Sequence, residues 1–342
     1  MKQHGFRFLV MMVIFALAMG SSVSTGLAAG GMEKPAALTR ISFDSGGTSA
    51  TVSGHMDANG RTRYVLWAGA RQLIDVTLSG PEGASIEVRR RNGRASVAGE
   101  IETLTSFRGY LPSAGDYIVD VYTGAKGGDY SLFVSIPEKV AFQPNTTSDL
   151  QEGSLDAHES HEYILRAARG QILDVSVETD QNAADTDGGN GVQLIIYGVD
   201  GSVLKSGMSE GTSFRGELPL SQSYIIRLQA VDRAVDYSVN MVVPRRISFA
   251  QGAYSGSDNR AVKAHASLYY SVRARQGQTM TVEVDANRPV QLIIYGVNGD
   301  VLMSGMGDAD NFQGKLSATQ DYILVVRAGD KAASYKIVVT IR

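Results

Sequence analysis

The sequence predicts an all-β fold of three tandem antiparallel β-sandwich modules, jelly-roll-like in type, which follow a signal peptide. A set of landmark residues recurs three times in the same order, about a hundred residues apart, which is long enough for each copy to close its own core. Within each copy, apolar and polar residues alternate and Gly-rich turns separate the apolar segments, as in strands with one buried face. No segment has a helical period, so an antiparallel sandwich is favoured.

The N-terminus has the organisation of a secretory signal peptide, which we predict to occupy residues 1–29. Lys2 and Arg7 precede an apolar run of about a dozen residues, and small residues then lead to Ala28 and Ala29 before the expected cleavage point. The run is shorter than the roughly 18 residues that span a bilayer, so we expect no membrane-embedded segment. The chain has no cysteine, which excludes a lipobox and a disulfide framework. We therefore predict a secreted or periplasmic bacterial protein.

The overall charge argues against one class of partner. Removal of the signal peptide takes away Lys2 and Arg7 and changes the formal net charge from −3 to −5. A mildly acidic chain does not create the positive field that nucleic acid requires. We expect no nucleic-acid partner.

Each copy carries five landmarks. A phenylalanine opens it, a tyrosine begins an apolar strand, an Asx-Gly pair marks a turn, a phenylalanine begins a Phe-x-Gly segment, and a second tyrosine leads a core strand. In chain order the landmarks are Phe43, Tyr64, Asn92-Gly93, Phe107 and Tyr117; Phe142, Tyr163, Asp200-Gly201, Phe214 and Tyr224; and Phe249, Tyr270, Asn298-Gly299, Phe312 and Tyr322. The second tyrosine follows a turn, where such a ring is commonly buried and its hydroxyl bonds to nearby backbone. We predict a structural role for it in all three copies.

The landmarks place the three modules at 38–137, 138–244 and 245–342. The linkers between them are short, and each begins with a proline, Pro137 or Pro244. Because proline stiffens a linker and few residues remain for swivelling, we expect a semi-rigid rod in which the modules touch.

Alternation along the strand before each Asx-Gly turn predicts which side chains leave the core. In the second copy Leu194 and Ile196 should face the core, which leaves Tyr197 pointing outward. The third copy presents Tyr295 in the same way, whereas the first copy presents Arg89.

The lone tryptophan, Trp67, also points outward by alternation, where the sister copies have Arg166 and Arg273. An exposed aromatic residue on a rigid strand is a platform for a sugar or a protein partner. The candidate binding residues are Trp67, Arg89, Tyr197 and Tyr295. The alternatives are that loops or a neighbouring module cover the two tyrosines and that the arginines of the first copy form a solvated turn.

The second copy alone carries an insertion, which makes the segment from Val175 to Leu194 nine residues longer than its counterparts. The insertion is glycine-rich and acidic, and Asp180, Asp185 and Asp187 are its candidate metal ligands. Alternating oxygen donors of this kind suit calcium. The closing glutamate of an EF-hand is missing at its expected distance, so a solvated loop without metal is the alternative.

No catalytic site is predicted. The segment from Gly207 to Gly211 matches the nucleophile-elbow pattern, but that elbow joins a strand to a helix and this segment lies between strands. Ser202 and Lys205 match a serine-lysine pattern that needs one helical turn, whereas a strand would point them to opposite faces. His158 and His161 lack the His-Glu-x-x-His spacing of a zinc helix. We therefore expect a protein that is not an enzyme.

Several segments of the second copy resemble a known family. They are Tyr163-Ile-Leu-Arg-Ala-Ala-Arg-Gly-Gln171, Leu194-Ile-Ile-Tyr-Gly-Val-Asp-Gly201, Gly216-Glu-Leu-Pro219, Tyr224-Ile-Ile and Asp236-Tyr237. In type and order they resemble the bacterial pre-peptidase C-terminal domain, and they are also similar to the single-module periplasmic inhibitors of g-type lysozyme. The first resemblance implies a sandwich that accompanies secreted hydrolases and assists secretion or binds substrate, sometimes with calcium. The second implies a loop presented to an enzyme cleft.

These patterns together predict a secreted, non-catalytic binding or scaffold protein. Its expected partner is a cell-wall or extracellular polysaccharide or an envelope protein. The alternative is an inhibitor of a cell-wall hydrolase, of the g-type lysozyme inhibitor kind, whose partner is a lysozyme. Neither function requires a cofactor, and calcium in the insertion of the second copy stays open.

Overall fold

The computed structural model describes residues 38–44, 46–93, 95–99, 101–179, 191–208, 211–305 and 310–342, and the regular secondary structure in these ranges is β-strand throughout. Ala37–Arg342 group as one compact unit. No helix of these ranges could cross a membrane. The predicted signal peptide at 1–29 lies outside the described residues. The prediction of an all-β fold is confirmed.

The first sandwich is formed by the strands that precede the first linker. They are β1 (Leu38–Arg40), β2 (Ser49–Met56), β3 (Arg61–Ala68), β4 (Leu73–Ser79), β5 (Ser85–Arg90), β6 (Ile101–Glu102), β7 (Ser106–Tyr110), β8 (Gly115–Tyr122) and β9 (Gly128–Ser135). They form two sheets, with the orders β1-β3-β8-β5 and β2-β9-β4-β7-β6.

The second sandwich repeats this plan. Its strands are β10 (Glu138–Lys139), β11 (Ser148–Leu155), β12 (Ser160–Ala167), β13 (Ile172–Thr179), β14 (Val192–Gly198), β15 (Val203–Lys205), β16 (Ser213–Glu217), β17 (Gln222–Ala230) and β18 (Val235–Val242). The sheet orders are β10-β12-β17-β14-β15 and β11-β18-β13-β16.

The third sandwich has the same topology as the second. Its strands are β19 (Arg245–Arg246), β20 (Ser255–Val262), β21 (Ser267–Ala274), β22 (Thr279–Ala286), β23 (Val290–Gly296), β24 (Val301–Met303), β25 (Asn311–Lys315), β26 (Gln320–Ala328) and β27 (Ala333–Ile341). The sheet orders are β19-β21-β26-β23-β24 and β20-β27-β22-β25.

We call the sheet that contains β3, β12 or β21 the leading sheet of its sandwich and the other sheet the trailing sheet. The pairings are antiparallel except where the incoming chain, as β1, β10 or β19, runs parallel to the first long strand of the leading sheet. Each linker is thus fixed by backbone hydrogen bonds to the sandwich that follows it.

Alternation separates the core from the outer face, as predicted. In β14, Leu194 and Ile196 are buried in the core of the second sandwich, and Tyr197 points to the other side. The turn that follows β14 places Gly201 at a φ of 86°, a left-handed conformation that glycine adopts without steric cost. Each of the three sandwiches closes a core of its own, although the exact module boundaries stay predictions.

The tyrosine at the head of the core strand has the predicted structural role in all three copies. The hydroxyls of Tyr117, Tyr224 and Tyr322 donate to the carbonyls of Ser113, Leu220 and Ala318 at 2.6, 2.7 and 2.8 Å. All three rings are completely buried. Each tyrosine therefore fixes the turn before its strand while it fills the core.

In addition, a pair of hydrogen-bonded tyrosines joins the two sheets of each sandwich. The hydroxyl pairs are Tyr64 with Tyr130, Tyr163 with Tyr237, and Tyr270 with Tyr335, at 2.6, 2.8 and 2.7 Å. One member lies in the leading sheet and the other in the trailing sheet, so each hydrogen bond links the two sheets. The bond also satisfies two buried hydroxyls inside an apolar core.

The sandwiches contact one another through their sheet faces. The trailing sheet of the first contacts the leading sheet of the second through β2 and β12, and the trailing sheet of the second contacts the leading sheet of the third through β11 and β21. Two apolar clusters fill these contacts, one around Ile225 and the other around Ile323.

Candidate functional site at the first junction

The first junction is centred on a buried carboxylate. Glu162 is completely buried, and its Oε1 accepts hydrogen bonds from Tyr197 Oη at 2.6 Å and Arg227 Nε at 2.5 Å. The hydroxyl of Ser135, in the first sandwich, donates to Oε2. Burial by itself raises the pKa of Glu162, but the charge of Arg227 and these hydrogen bonds outweigh it and lower the pKa. The carboxylate is therefore ionised and fully partnered.

The same three-residue contact occurs at both junctions. An arginine of one trailing sheet pairs with an aspartate of the neighbouring strand and lies over a tyrosine of the next leading sheet. The residues are Asp75, Arg108 and Tyr197 at the first junction and Asp174, Arg215 and Tyr295 at the second. The distances from guanidinium to ring centroid are 4.6 and 4.4 Å, within the range of a cation–π interaction.

The trailing sheet of the third sandwich differs at these positions. Thr281 and Gln313 are register partners there, where the first two sandwiches have the aspartate and the arginine. The outer face of the third sandwich therefore lacks the docking pair.

The expectation that Tyr197 and Tyr295 form exposed platforms is wrong. Tyr197 is 7% exposed and Tyr295 is half-buried, because the preceding sandwich covers each of them. Their outward direction agrees with the alternation, and the alternative that a neighbouring module covers them is the one the structure shows. The Tyr197 ring is therefore closed to an external ligand, and the Tyr295 ring is covered in part.

A cleft of about 1050 Å³ lies at the first junction, and both sandwiches and the linker form its walls. This is slightly above the usual range for ligand sites, about 300–1000 Å³. The residues that give the cleft its character are Trp67, Arg71 and Tyr110 of the first sandwich, Lys139 of the linker, and Arg166 and Ser223 of the second sandwich. It is the place where a predicted binding residue meets a concave surface.

Trp67 and Tyr110 supply the aromatic surface of the cleft. Trp67 is the last residue but one of β3 and is 60% exposed, which is unusual for so large an apolar side chain. Tyr110 ends β7, is 39% exposed, and donates its hydroxyl to Ser223 Oγ at 2.7 Å across the junction. That bond fixes the tyrosine ring at the mouth of the cleft.

Sequence reasoning missed Tyr110, Arg71 and Lys139. The signal for Tyr110 was available, because the sister strands have Glu217 and Lys315 at this position. An aromatic residue that only one copy carries is a difference of the same kind as Trp67.

Arg89 lies outside this cleft, on the leading sheet of the first sandwich. Its Nε donates to Asp120 at 2.9 Å, and Arg61 and Arg63 also pair with this carboxylate. Asp120 is completely buried beneath them. The guanidinium of Arg89 thus has a partner within its own sheet, and its role as a binding residue stays a prediction.

The residues of the catalytic-looking strings have structural contacts. Ser202 donates to Asp200 Oδ1 at 2.6 Å within the Asx-Gly turn, and Lys205 is buried on β15. His161 Nδ1 lies 2.7 Å from Tyr237 Oη, and burial lowers the pKa of His161. His161 is therefore neutral near pH 7, bonded to a core tyrosine.

No described residues form a group of three or more histidines, aspartates or glutamates that could hold a metal ion. The predicted calcium ligands Asp180, Asp185 and Asp187 lie outside the described residues. Calcium binding there stays a prediction.

Comparison with known proteins does not assign a family. No family model and no curated protein matches the chain, so the resemblance to the pre-peptidase C-terminal domain stays a prediction. Among solved structures, the periplasmic inhibitor of g-type lysozyme from Aeromonas hydrophila is 17% identical, with 31% of this chain and 95% of that chain covered at a TM-score of 0.26. The inhibitor from Salmonella Typhimurium is 24% identical, with coverages of 29% and 96% and a TM-score of 0.25.

A triple jelly roll protein from the turret of an archaeal virus aligns over more of the chain. It is 7% identical, with coverages of 86% and 89% and a TM-score of 0.19. At such TM-scores these similarities carry no argument about function.

Proposed function

We propose that this chain is a secreted, non-catalytic binding protein that holds an envelope or extracellular polysaccharide in the cleft at the first junction. The observation that carries the proposal is Trp67, which is 60% exposed on a rigid strand at a concave surface. A sugar ring stacks its C–H face on such an indole, and the surrounding polar groups orient its hydroxyls.

The rest of the protein supports a scaffold role. Outward faces at both junctions are used for contacts between sandwiches, so the fold holds the walls of the cleft in fixed positions. A preformed site avoids the cost of ordering protein groups on binding. That saving helps to offset the cost of ordering a flexible ligand such as a glycan.

Retention on insoluble glycans tests this function. Wild-type protein should be retained on at least one of peptidoglycan sacculi, chitin and cellulose, and Trp67→Ala should reduce the bound fraction at least tenfold. Leu150→Ala is the matched control, because Leu150 is 57% exposed on the second sandwich, outside the cleft. Absence of wild-type retention on every matrix would reject polysaccharide binding.

The order of motifs shared with periplasmic inhibitors of g-type lysozyme favours a second candidate, an inhibitor of a cell-wall hydrolase. This function requires a stoichiometric complex with a g-type lysozyme and loss of its turnover. Lysozyme activity that stays unchanged in excess protein would remove this candidate and leave glycan binding unaffected.

A further inference from the structure

We propose that the cleft at the first junction binds an anionic polysaccharide and that Arg71, Lys139 and Arg166 contact its carboxylate groups. The inference rests on the proposed function, because it names the chemical class of ligand for the same cleft. Three observations support it. The three side chains have no partner in the described part of the chain, the counterparts of Lys139 and Arg166 at the second junction are paired with a carboxylate, and Arg71 has a left-handed backbone conformation.

Arg71, Lys139 and Arg166 come from three separate segments and are all exposed in the wall of the cleft. In the described part of the chain, none of them has an ion-pair or side-chain hydrogen-bond partner. The one carboxylate among the described lining residues is that of Glu138, and its Oε2 lies 3.5 Å from His161 Nε2. The wall therefore carries a net positive charge.

The second junction has the same basic positions but neutralises them. Arg246 corresponds to Lys139, and Arg273 corresponds to Arg166. Asp321 pairs with both of those arginines, at 3.1 Å for Arg273. In the second sandwich the position of Asp321 is occupied by Ser223, the strand partner of Arg166. The serine leaves Lys139 and Arg166 without the carboxylate that their counterparts have.

The backbone of Arg71 points to a role for its side chain. Arg71 has a φ of 63°, and the corresponding residues of the other copies are Gly170 at 80° and Gly277 at 84°. All three make the same turn, since each amide donates to a leucine carbonyl, of Leu111, Leu218 or Leu316. The left-handed conformation is disfavoured for residues with a Cβ other than asparagine and aspartate, and strain of this kind is often found at binding sites. An arginine where glycine folds without strain indicates a side chain used for binding.

The aromatic and basic groups have complementary tasks. Trp67 and Tyr110 offer ring faces to the sugar, and guanidinium and ammonium groups donate charge-assisted hydrogen bonds to carboxylates. A uronic-acid polymer or a glycan with carboxylate substituents satisfies both sets at once. A neutral glycan would leave the three cations unused.

Titration with soluble polymers tests the proposal. Wild-type protein should bind at least one of polygalacturonate, alginate and hyaluronate at least tenfold more tightly than the methyl-esterified form of the same polymer, and this preference should fall as salt increases. Ser223→Asp should reduce affinity for the acidic polymer about tenfold and remove the preference for the acidic polymer over its ester. The third sandwich shows that an aspartate fits at this position.

Two further variants serve as checks. Arg71→Gly should keep or raise the melting temperature and weaken binding of the acidic polymer, because it relieves the turn and removes one cation. Lys263→Gln changes an exposed cation of the third sandwich and should alter neither quantity.

The outcomes separate this inference from the proposed function. Equal binding of acid and ester, both lost in Trp67→Ala, would keep glycan binding and overturn the anionic preference. Failure to bind any of the three acidic polymers would overturn the inference, and retention on insoluble glycans would then decide the proposed function. Single-stranded DNA that binds as tightly as the acidic glycan would overturn the carbohydrate assignment.

Discussion

At the scale of single residues, the first junction depends on one carboxylate that stays charged without solvent. Glu162 forms an ion pair with Arg227 and accepts hydrogen bonds from one hydroxyl of each of the two sandwiches. The leading sheet of the first sandwich places Arg63 and Asp120 at the equivalent positions, so the signs of the charges are exchanged. An acid–arginine pair is thus common to the leading sheets of the first and second sandwiches. Of these two pairs, only the one in the second sandwich is covered by a preceding sandwich.

Glu162→Gln is expected to destabilise the protein by about 3–5 kcal/mol at neutral pH, because it leaves Arg227 as a buried cation without a counter-charge. The pKa of Glu162 is lowered in the folded state from an ordinary value of 4.5. Its stabilisation is therefore fully present above that value and is lost as the pH falls below it. Urea unfolding at a series of pH values should show a difference between wild type and variant that shrinks below pH 4.5.

Glu152→Gln is the control for this variant, since it makes the same chemical change on an exposed strand of the same sandwich. It should change the free energy of unfolding by less than about 0.5 kcal/mol. A penalty for Glu162→Gln that does not vary with pH would contradict the electrostatic explanation.

At the scale of elements, one core strand of each sandwich carries near its start a tyrosine whose ring and hydroxyl stabilise the fold in different ways. The ring of Tyr224 fills the core, and its hydroxyl donates to the Leu220 carbonyl at 2.7 Å. The turn before β17 is thereby tied to the strand it introduces. The same bond in the other sandwiches makes this a property of the fold.

Tyr224→Phe keeps the ring and removes the hydroxyl, so it isolates the hydrogen bond. Because the Leu220 carbonyl loses this donor, we expect a loss of about 1–3 kcal/mol, measured by equilibrium denaturation. Tyr254→Phe removes a hydroxyl from a residue that is 66% exposed and should have no measurable effect. Equal stability of the two variants would show that the bond does not contribute.

Strand direction and core residues could be predicted because they depend on local alternation. The partner of an outward side chain could not, because it comes from another copy: Tyr197 is covered by Arg108, which lies far away in the sequence. The copies did contain a hint, since outward tyrosines occur in the second and third copies and Arg89 occupies this position in the first. Only a copy with a sandwich before it needs an outward tyrosine.

The cleft was harder still to predict. Trp67, Lys139 and Arg166 belong to three segments, and their convergence depends on the docking geometry of two sandwiches. Periodicity assigns each of them to an outer surface but says nothing about which surfaces meet.

At the scale of the whole molecule, buried junctions couple the three cores. The second junction contains a completely buried Ile323 from the third sandwich against Ile172 from the second. Contacts of this kind resemble core packing, so the cores should lose structure together on heating.

Ile323→Ala should weaken this coupling, because the cavity left at a buried isoleucine costs about 2–5 kcal/mol. In differential scanning calorimetry, the wild type should unfold in one transition and the variant should show an earlier transition for the third sandwich. Val301→Ala, at a residue 64% exposed in the same sandwich, should keep the wild-type profile. Separate transitions in the wild type would contradict coupling through the junctions.

Repeated docking of one sheet face onto another is a heterologous contact, and such contacts extend into fibres unless something stops them. In this protein the docking pair of aspartate and arginine is replaced by Thr281 and Gln313 on the last face. A second copy that approached this face would find no arginine to place over a tyrosine, and its own first face would offer Arg89 in place of that tyrosine. These three replacements at the two end faces mean that the contact of arginine over tyrosine, which recurs at both junctions, cannot be repeated between one chain and the next.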